Sequence, residues 1–443
     1  MILDQNAWIE KFRTFEKSLN GQSGQPIHQV RKAAISHFEQ IDLPTSSDEA
    51  WKSVNTSVLA QTDYSLSRAY VDGSLQPRVL ESLTLPDTIR LVFVNGFFAK
   101  DLSVLSGLPS GVRAESLSDA LMCNPAAVAA QIDHVVGSEQ QTYTALNTAF
   151  LQDGVYVHID KNTVCERPIH AIFYSEAGDV PTVAHTRNLL VAEDNSQVTF
   201  IETYAGEEGL SYLTNSVTEF VAGDNAQVDH YKLELESLQA IHIANHHARL
   251  GRGANVSSHS FSLGGAFVRN DVSSLLAGEG CEATVNGLYL LEGNQHIDNY
   301  TLLEHAEPQC PSHELYKGIL GDQARAIFRG KIHVHKKAQR TDAYQRNENI
   351  LLSDDARINA KPQLEIYADD VKCSHGATIG QLNQEALFYL RARGISETDA
   401  KNMLLKAFAG DVVDRVKVDA LRAQLEAFID AKFDRLYHVG EMK

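Results

Sequence analysis

Cys373 and His375 stand two residues apart in the run Asp369-Asp370-Val371-Lys372-Cys373-Ser374-His375-Gly376-Ala377-Thr378. In an extended strand alternate side chains share a face, so this spacing sets a soft thiolate beside an imidazole. That donor pair suits iron, zinc or an iron-sulfur fragment. Spacing alone gives more weight to the plainer alternative, a buried thiol beside a hydrogen-bonded histidine. Two donors do not complete a coordination sphere, so a metal or cluster held here needs further ligands from a partner chain.

Two histidine pairs invite the same question. His246-His247 are adjacent, and His333-Val334-His335 would place both rings on one strand face. Two histidines alone make no metal site, and solvent-facing strand positions are the simpler reading of each. Familiar catalytic signatures are missing. There is no Gly-x-Ser-x-Gly elbow, no phosphate-binding Gly-x-x-x-x-Gly-Lys-Ser/Thr loop, no His-Glu-x-x-His and no Gly-x-Gly-x-x-Gly opening a helix. A β-helical carbohydrate lyase or hydrolase would carry paired carboxylates on one strand face. The best acidic pairs, Asp354-Asp355 and Asp369-Asp370, are adjacent and point to opposite faces.

The five cysteines, Cys123, Cys165, Cys281, Cys310 and Cys373, have no Cys-x-x-Cys spacing and read as reduced thiols. Cys281 falls at a small inward position, while Cys165 and Cys310 lie next to turn residues with no spaced partner. The chain has 443 residues, 39 basic and 57 acidic, for a formal charge of −18. Nucleic-acid binding is disfavoured, because a duplex needs a basic stripe and the densest basic run is only 333–337. An anionic membrane surface is disfavoured likewise. No apolar run approaches the length of a bilayer span, and the N-terminus lacks a signal-peptide pattern, so cytoplasmic placement is the expectation.

The elements that must position these residues fall into three stretches. Residues 1–150 read as a helical unit with a small β portion. Apolar side chains recur at helical spacing through Trp8, Phe12, Phe15, Ile27, Val30 and Phe38; 89–98 has strand character, and 126–150 looks helical. Residues 151–380 are short Val-, Ile-, Tyr- and Thr-rich runs separated by Gly, Asp and Asn. Within them VAEDNSQV at 191–198 recurs as VAGDNAQV at 221–228, thirty residues on. Weaker copies begin at 249, 276, 319 and 351, one of the steps being 43 residues long. A repeated turn, strand and small inward residue cannot bury its own face, so stacked copies must bury it, which predicts a parallel β-helix. Residues 381–443 turn helical again, with Ser396 as a capping start and a wide apolar stripe from Val412 to Phe433. That stripe predicts either a cap on the solenoid or an exposed face that docks a partner. If it is exposed, deleting 410–443 should leave the β-helix folded.

Ordered blocks add a resemblance. DNYT at 298–301, PQCPS at 308–312, LYKGIL at 315–320, FRGKI at 328–332, AQRTDAYQ at 338–345, KPQLEI at 361–366, the block at 370–380 and LFYLRARGI at 387–395 resemble, in order, the SufB/SufD family of the SUF iron-sulfur cluster assembly system, most closely its SufD branch. The resemblance covers most of the chain. It implies a right-handed parallel β-helix core flanked by N-terminal and C-terminal α-helical domains. It also implies a non-catalytic scaffold subunit that pairs with a SufB-like subunit and binds a SufC-like ABC ATPase through its C-terminal helices, supporting iron acquisition and cluster assembly. ATP hydrolysis would belong to that ATPase. By the same resemblance Cys373 and His375 face the SufB-like subunit, sharing a transient iron-sulfur cluster or iron with it. The SufB branch carries a cysteine in the strand matching 345–351, where this chain has none. Flavin binding by the complex and a homodimer of the isolated chain are left open.

Overall fold

A computed structural model of the chain describes residues 5–19, 24–54, 56, 59, 62–132, 141–176, 178 and 180–438. From residue 155 onward the backbone alternates between two sheets. Val155–Ile159 enters the first, Ile169–Ser175 the second and Thr182–Ala192 the first again, and the alternation runs on to Arg357–Ile366 and Val371–Gly380. Each strand pairs in parallel with its counterparts in the coils before and after. Equivalent residues therefore stack, as Val198, Val228, Val256 and Ala283 do. The architecture is the parallel β-solenoid that the repeat predicts, with helices at both ends of the chain.

The corner leading from the first sheet to the second accounts for the repeat. Its fifth position takes a left-handed backbone, with φ of 56° at Asn195, 57° at Asn225, 63° at Gly253 and 71° at Gly280. Asparagine and glycine tolerate that region where most side chains do not. Asn225 donates to Asn195 (3.0 Å) and Asn195 to Asn162 (2.9 Å), so the side chains form a ladder up the corner. The sixth position turns inward and is buried at Ser196, Ala226, Ala254 and Cys281. The copies at 319 and 351 prove to lie at the opposite corner, between 311–320 and 325–334 and between 341–351 and 357–366. That change of corner is the reason for the 43-residue step. At the original corner the next coil has Gln309 in the left-handed region and Cys310 inward and buried.

Helices cover the outer faces of both sheets. Trp8, Phe12 and Phe15 of helix Gln5–Ser18 and Phe38 of Pro26–Gln40 pack with Phe150 over Val183, Leu213, Ile241 and Phe267 of the first sheet. The region read as one helix from 126 to 150 contains helices Pro125–Ala129 and Thr142–Ala149; residues 133–140 of it lie outside the described residues. The C-terminal segment forms Gln384–Ala392, Glu397–Val413 and Asp419–His438, with Ser396 accepting from the Asp399 amide as its sequence implies.

The C-terminal apolar stripe is not exposed. Val412, Val413, Leu421, Leu425, Ile429 and Phe433 are buried against Tyr231, Leu233, Phe261, Leu288 and Ile319 on the outer face of the second sheet. A helix pair laid on a broad sheet buries a wider stripe than one laid along a single helix, which explains its width. Polar contacts fix the register of this layer. The Lys432 ammonium is buried and donates to Leu263 O (3.0 Å), Glu292 Oε1 (2.7 Å) and Gln295 Oε1 (2.8 Å). Its three protons are thereby all used. Lys417 reaches Asp229 at 2.7 Å in the same layer.

The two ends of the solenoid differ. At the N-terminal end Val112–Ser116 closes the first sheet antiparallel to Val155–Ile159, and the hairpin of Ile89–Val94 with Phe97–Phe98 closes the second. At the other end, among the described residues, Arg357–Ile366 and Val371–Gly380 each pair along one edge only. Inward positions that are buried in earlier coils open here: Ile358 and Leu364 are half-buried, and Ile379 is 51% exposed.

Candidate functional site at the open end of the solenoid

Cys373 and His375 lie on that last strand and alternate with Lys372 and Ser374, so both belong to its inward face. Cys373 sits beside Ala343 and His375 beside Gln345 in the neighbouring strand Thr341–Leu351. Cys373 is half-buried against the edge of the core, and His375 is exposed. Burial pushes the Cys373 thiol up from its ordinary range; the Ala343 backbone amide opposes this, and the Asp342 carboxylate adds to it. Left to itself the group is a neutral thiol. An incoming cation or positive partner surface would be needed to hold it as thiolate. Among the described residues no group of three or more His, Cys, Asp or Glu side chains could hold a metal ion.

Behind His375 the inward face carries a polar relay that spacing in one strand could not reveal. Gln345 is buried, and its Nε2 donates to Glu314 Oε2 at 2.8 Å. Glu314 Oε1 accepts from Thr301 Oγ1 at 2.6 Å. Gly330 makes room for this group, since a Cβ there would come within 2.2 Å of Gln345 Nε2. Among the described residues Gln345 Oε1 is buried without a partner. Burial pushes the Glu314 carboxyl from 4.5 up to about 7, against the hydrogen bonds from Thr301 and Gln345. The signal available in sequence was an acidic residue at an inward position, Ser312, Glu314 and Tyr316 alternating inside a strand, but it needed the strand's phase to be known.

The raised Glu314 group has a consequence for stability. Between pH 4.5 and about 7 the folded chain binds a proton that the unfolded chain has released, so stability falls as pH rises through that window. Glu314→Gln should remove this dependence. The variant is expected to gain on wild type by on the order of 3 kcal/mol between pH 5 and pH 8. Thermal melts of both chains across that range check it, and parallel curves would contradict it.

The histidine pairs play other roles. His246 and His247 point to opposite faces of strand Ile241–Leu250. His246 packs against His230 inside the solenoid, with ring centroids 4.8 Å apart, and His247 meets Ser273 on the outside. Both are buried, and burial lowers their basicity, His247 to about 4. His333 and His335 do come together, with ring centroids 4.7 Å apart, but each is engaged by a carboxylate: Glu365 at 3.1 Å and Glu304 at 2.7 Å. Cys165 and Cys310, read as turn neighbours without a partner, are both buried, and Cys310 touches Cys281.

The chain matches two family models in succession, "SufBD protein N-terminal region" over residues 3–171 and "SUF system FeS cluster assembly, SufBD core domain" over residues 173–408. It is 33% identical over 415 residues to an iron-sulfur cluster assembly SufBD family protein of Synechocystis, covering 91% of this chain and 90% of the relative. It is 32% identical over 403 residues to the iron-sulfur cluster assembly protein SufD of Escherichia coli, covering 89% and 91%. A chloroplastic Arabidopsis protein, ABCI7, is 27% identical over 428 residues, covering 94% and 88%. No helix among the described residues is long and apolar enough to cross a membrane.

Proposed function

The chain belongs to the SufBD family of the SUF iron-sulfur cluster assembly system, and on that premise we propose that it is the SufD-type scaffold subunit of a cytoplasmic assembly complex, without catalysis of its own. Its open solenoid end pairs with a SufB-like subunit, and the two edge strands continue into the partner's sheets. His375 serves there as a ligand or proton carrier, and Cys373 as a soft ligand or sulfur-handling thiol, toward iron or a nascent cluster that is cargo and not a resident cofactor. The observation that carries this reading is that Cys373 and His375 occupy an inward face which every earlier coil closes and the last leaves open. An incomplete donor set on an unpaired edge is what a site shared between two chains requires.

The second partner of this reading is a SufC-like ABC ATPase. With the Val412 to Phe433 stripe spent on the solenoid, its dock falls to the apolar side chains that the terminal helices leave outside. Phe388 is 74% exposed, Tyr389 58% and Met403 50%. Large exposed apolar side chains are candidates for a contact site when a partner covers them together. Co-expression with both partners tests the assignment. Ile379→Asp is expected to lose the SufB-like subunit and keep the ATPase, and Phe388→Asp to do the reverse, with both melts within about 2 °C of wild type because the two side chains are exposed. Retention of both partners by both variants would overturn it.

A further inference from the structure

Cys281 and Cys310 fill the inward corner position of two successive coils, and their Sγ atoms lie 3.6 Å apart. Both are fully buried. Their spacing matches the register that sets Ala283 beside Ser312 in the adjoining ladder. Strands in register hold their Cα atoms about 4.8 Å apart, inside the roughly 4.4 to 6.8 Å span of disulfides. In the two preceding coils the same position holds Ala226 and Ala254. The corner therefore asks only for a small side chain, and packing does not account for two thiols in contact.

The two sulfurs are not equivalent. The contact with the Cys281 thiol holds the Cys310 thiol below the ordinary range, while the Gly280 and Cys281 amides beside it donate to Pro308 O (3.1 Å) and Gly278 O (3.4 Å). Cys281, in contact with the Cys310 sulfur and desolvated, is pushed up. When protonated, Cys310 points toward the carbonyl oxygens of Gly278 and Pro308, each 3.3 Å away. Glu279, Gly280 and Gln309 in the two turns are exposed, and Gln309 Nε2 bridges the turns to Glu279 Oε1 at 2.8 Å.

We propose that Cys281 and Cys310 are a modification site for small hydroperoxides, which convert the pair into a disulfide stapling two coils of the solenoid. The Cys310 thiolate attacks one peroxide oxygen and the O–O bond breaks. This gives a sulfenic acid on Cys310 and an alkoxide or hydroxide that takes up a proton. Cys281 then attacks the Cys310 sulfur, the S–O bond breaks, water leaves and the S–S bond forms. Two thiols are oxidised by two electrons in all, and one hydroperoxide is reduced to an alcohol, or water, plus water.

The test uses the full chain, folded, treated with hydrogen peroxide below its melting temperature, then denatured in an alkylating reagent. Two of the five thiols should be lost, the intact mass should fall by two hydrogens, and proteolysis should yield a peptide joining Cys281 to Cys310 that dithiothreitol separates. Cys281→Ala and Cys310→Ala should fold, since alanine stands at that corner in neighbouring coils. In Cys281→Ala a sulfenic acid on Cys310 should be trapped by dimedone, and in Cys310→Ala Cys281 should stay reduced. Peroxide treatment that leaves Cys281 and Cys310 reduced, with any lost thiols mapping to Cys123 and Cys373, would overturn the proposal.

Discussion

Truncation before residue 410 is expected to bring down the solenoid along with the terminal helices. The segment from 410 onward supplies Val412, Val413, Leu421, Leu425, Ile429 and Phe433, all buried on the outer face of the second sheet. At about 1.5 to 3 kcal/mol for each large apolar side chain withdrawn from water, six are worth on the order of 10 kcal/mol. That is comparable to the whole stability of a typical domain. The truncation also uncovers Tyr231, Leu233, Phe261 and Leu288 and leaves Glu292 without Lys432. The truncated chain should be insoluble or melt more than about 15 °C below the full chain, on the order of magnitude such losses imply. A soluble truncated chain with an unchanged melt would show that the solenoid stands alone.

The second large effect concerns the attachment of the N-terminal helical layer. Arg187, fully buried on the outer face of the first sheet, donates through Nε to Glu219 Oε1 at 3.0 Å and through Nη1 to Thr148 Oγ1 at 3.0 Å. The guanidinium thus joins two coils of the solenoid to helix Thr142–Ala149. Glu219→Ala removes the carboxylate that accepts from the buried guanidinium, and losing one member of a buried ion pair costs about 3 to 5 kcal/mol. The expected result is a chain that still folds but melts at markedly lower temperature and denaturant concentration. An Arg187→Met/Glu219→Leu double substitution should recover much of the loss, because it takes both charges of the pair out of the buried layer. Equal losses in the single and double variants would assign the effect to packing.

The repeat made most of the fold legible. Small residues at spacing two beyond an Asn- or Gly-bearing turn could only be stacked coils, and Asn195, Asn225 and Gly253 do occupy the left-handed corner. What escaped was phase. Copies at both corners look alike because both need a tight turn followed by a small inward residue, so the corner at Gln309 goes unrecognised, and Cys310, rightly placed beside turn residues, is left without its partner Cys281. The terminal stripe was read correctly as apolar, but amphipathicity says only that a face is covered and not by what. Cys373 and His375 were legible because both lie in one strand. Glu314 and Gln345 were not, because they meet across coils about thirty residues apart, and only the stacking register brings them together behind His375.

The central claim is that the open end completes its donor set with a second chain. The most direct measurement is iron and acid-labile sulfide in the complex of this chain with its SufB-like and SufC-like partners after anaerobic reconstitution, wild type against His375→Ala. His375 is exposed and bears no packing load, so the variant complex should assemble with the same stoichiometry. Loss of most of the iron and sulfide from that intact complex is the predicted result. Equal iron and sulfide in both complexes would contradict it and leave Cys373 and His375 as interface packing.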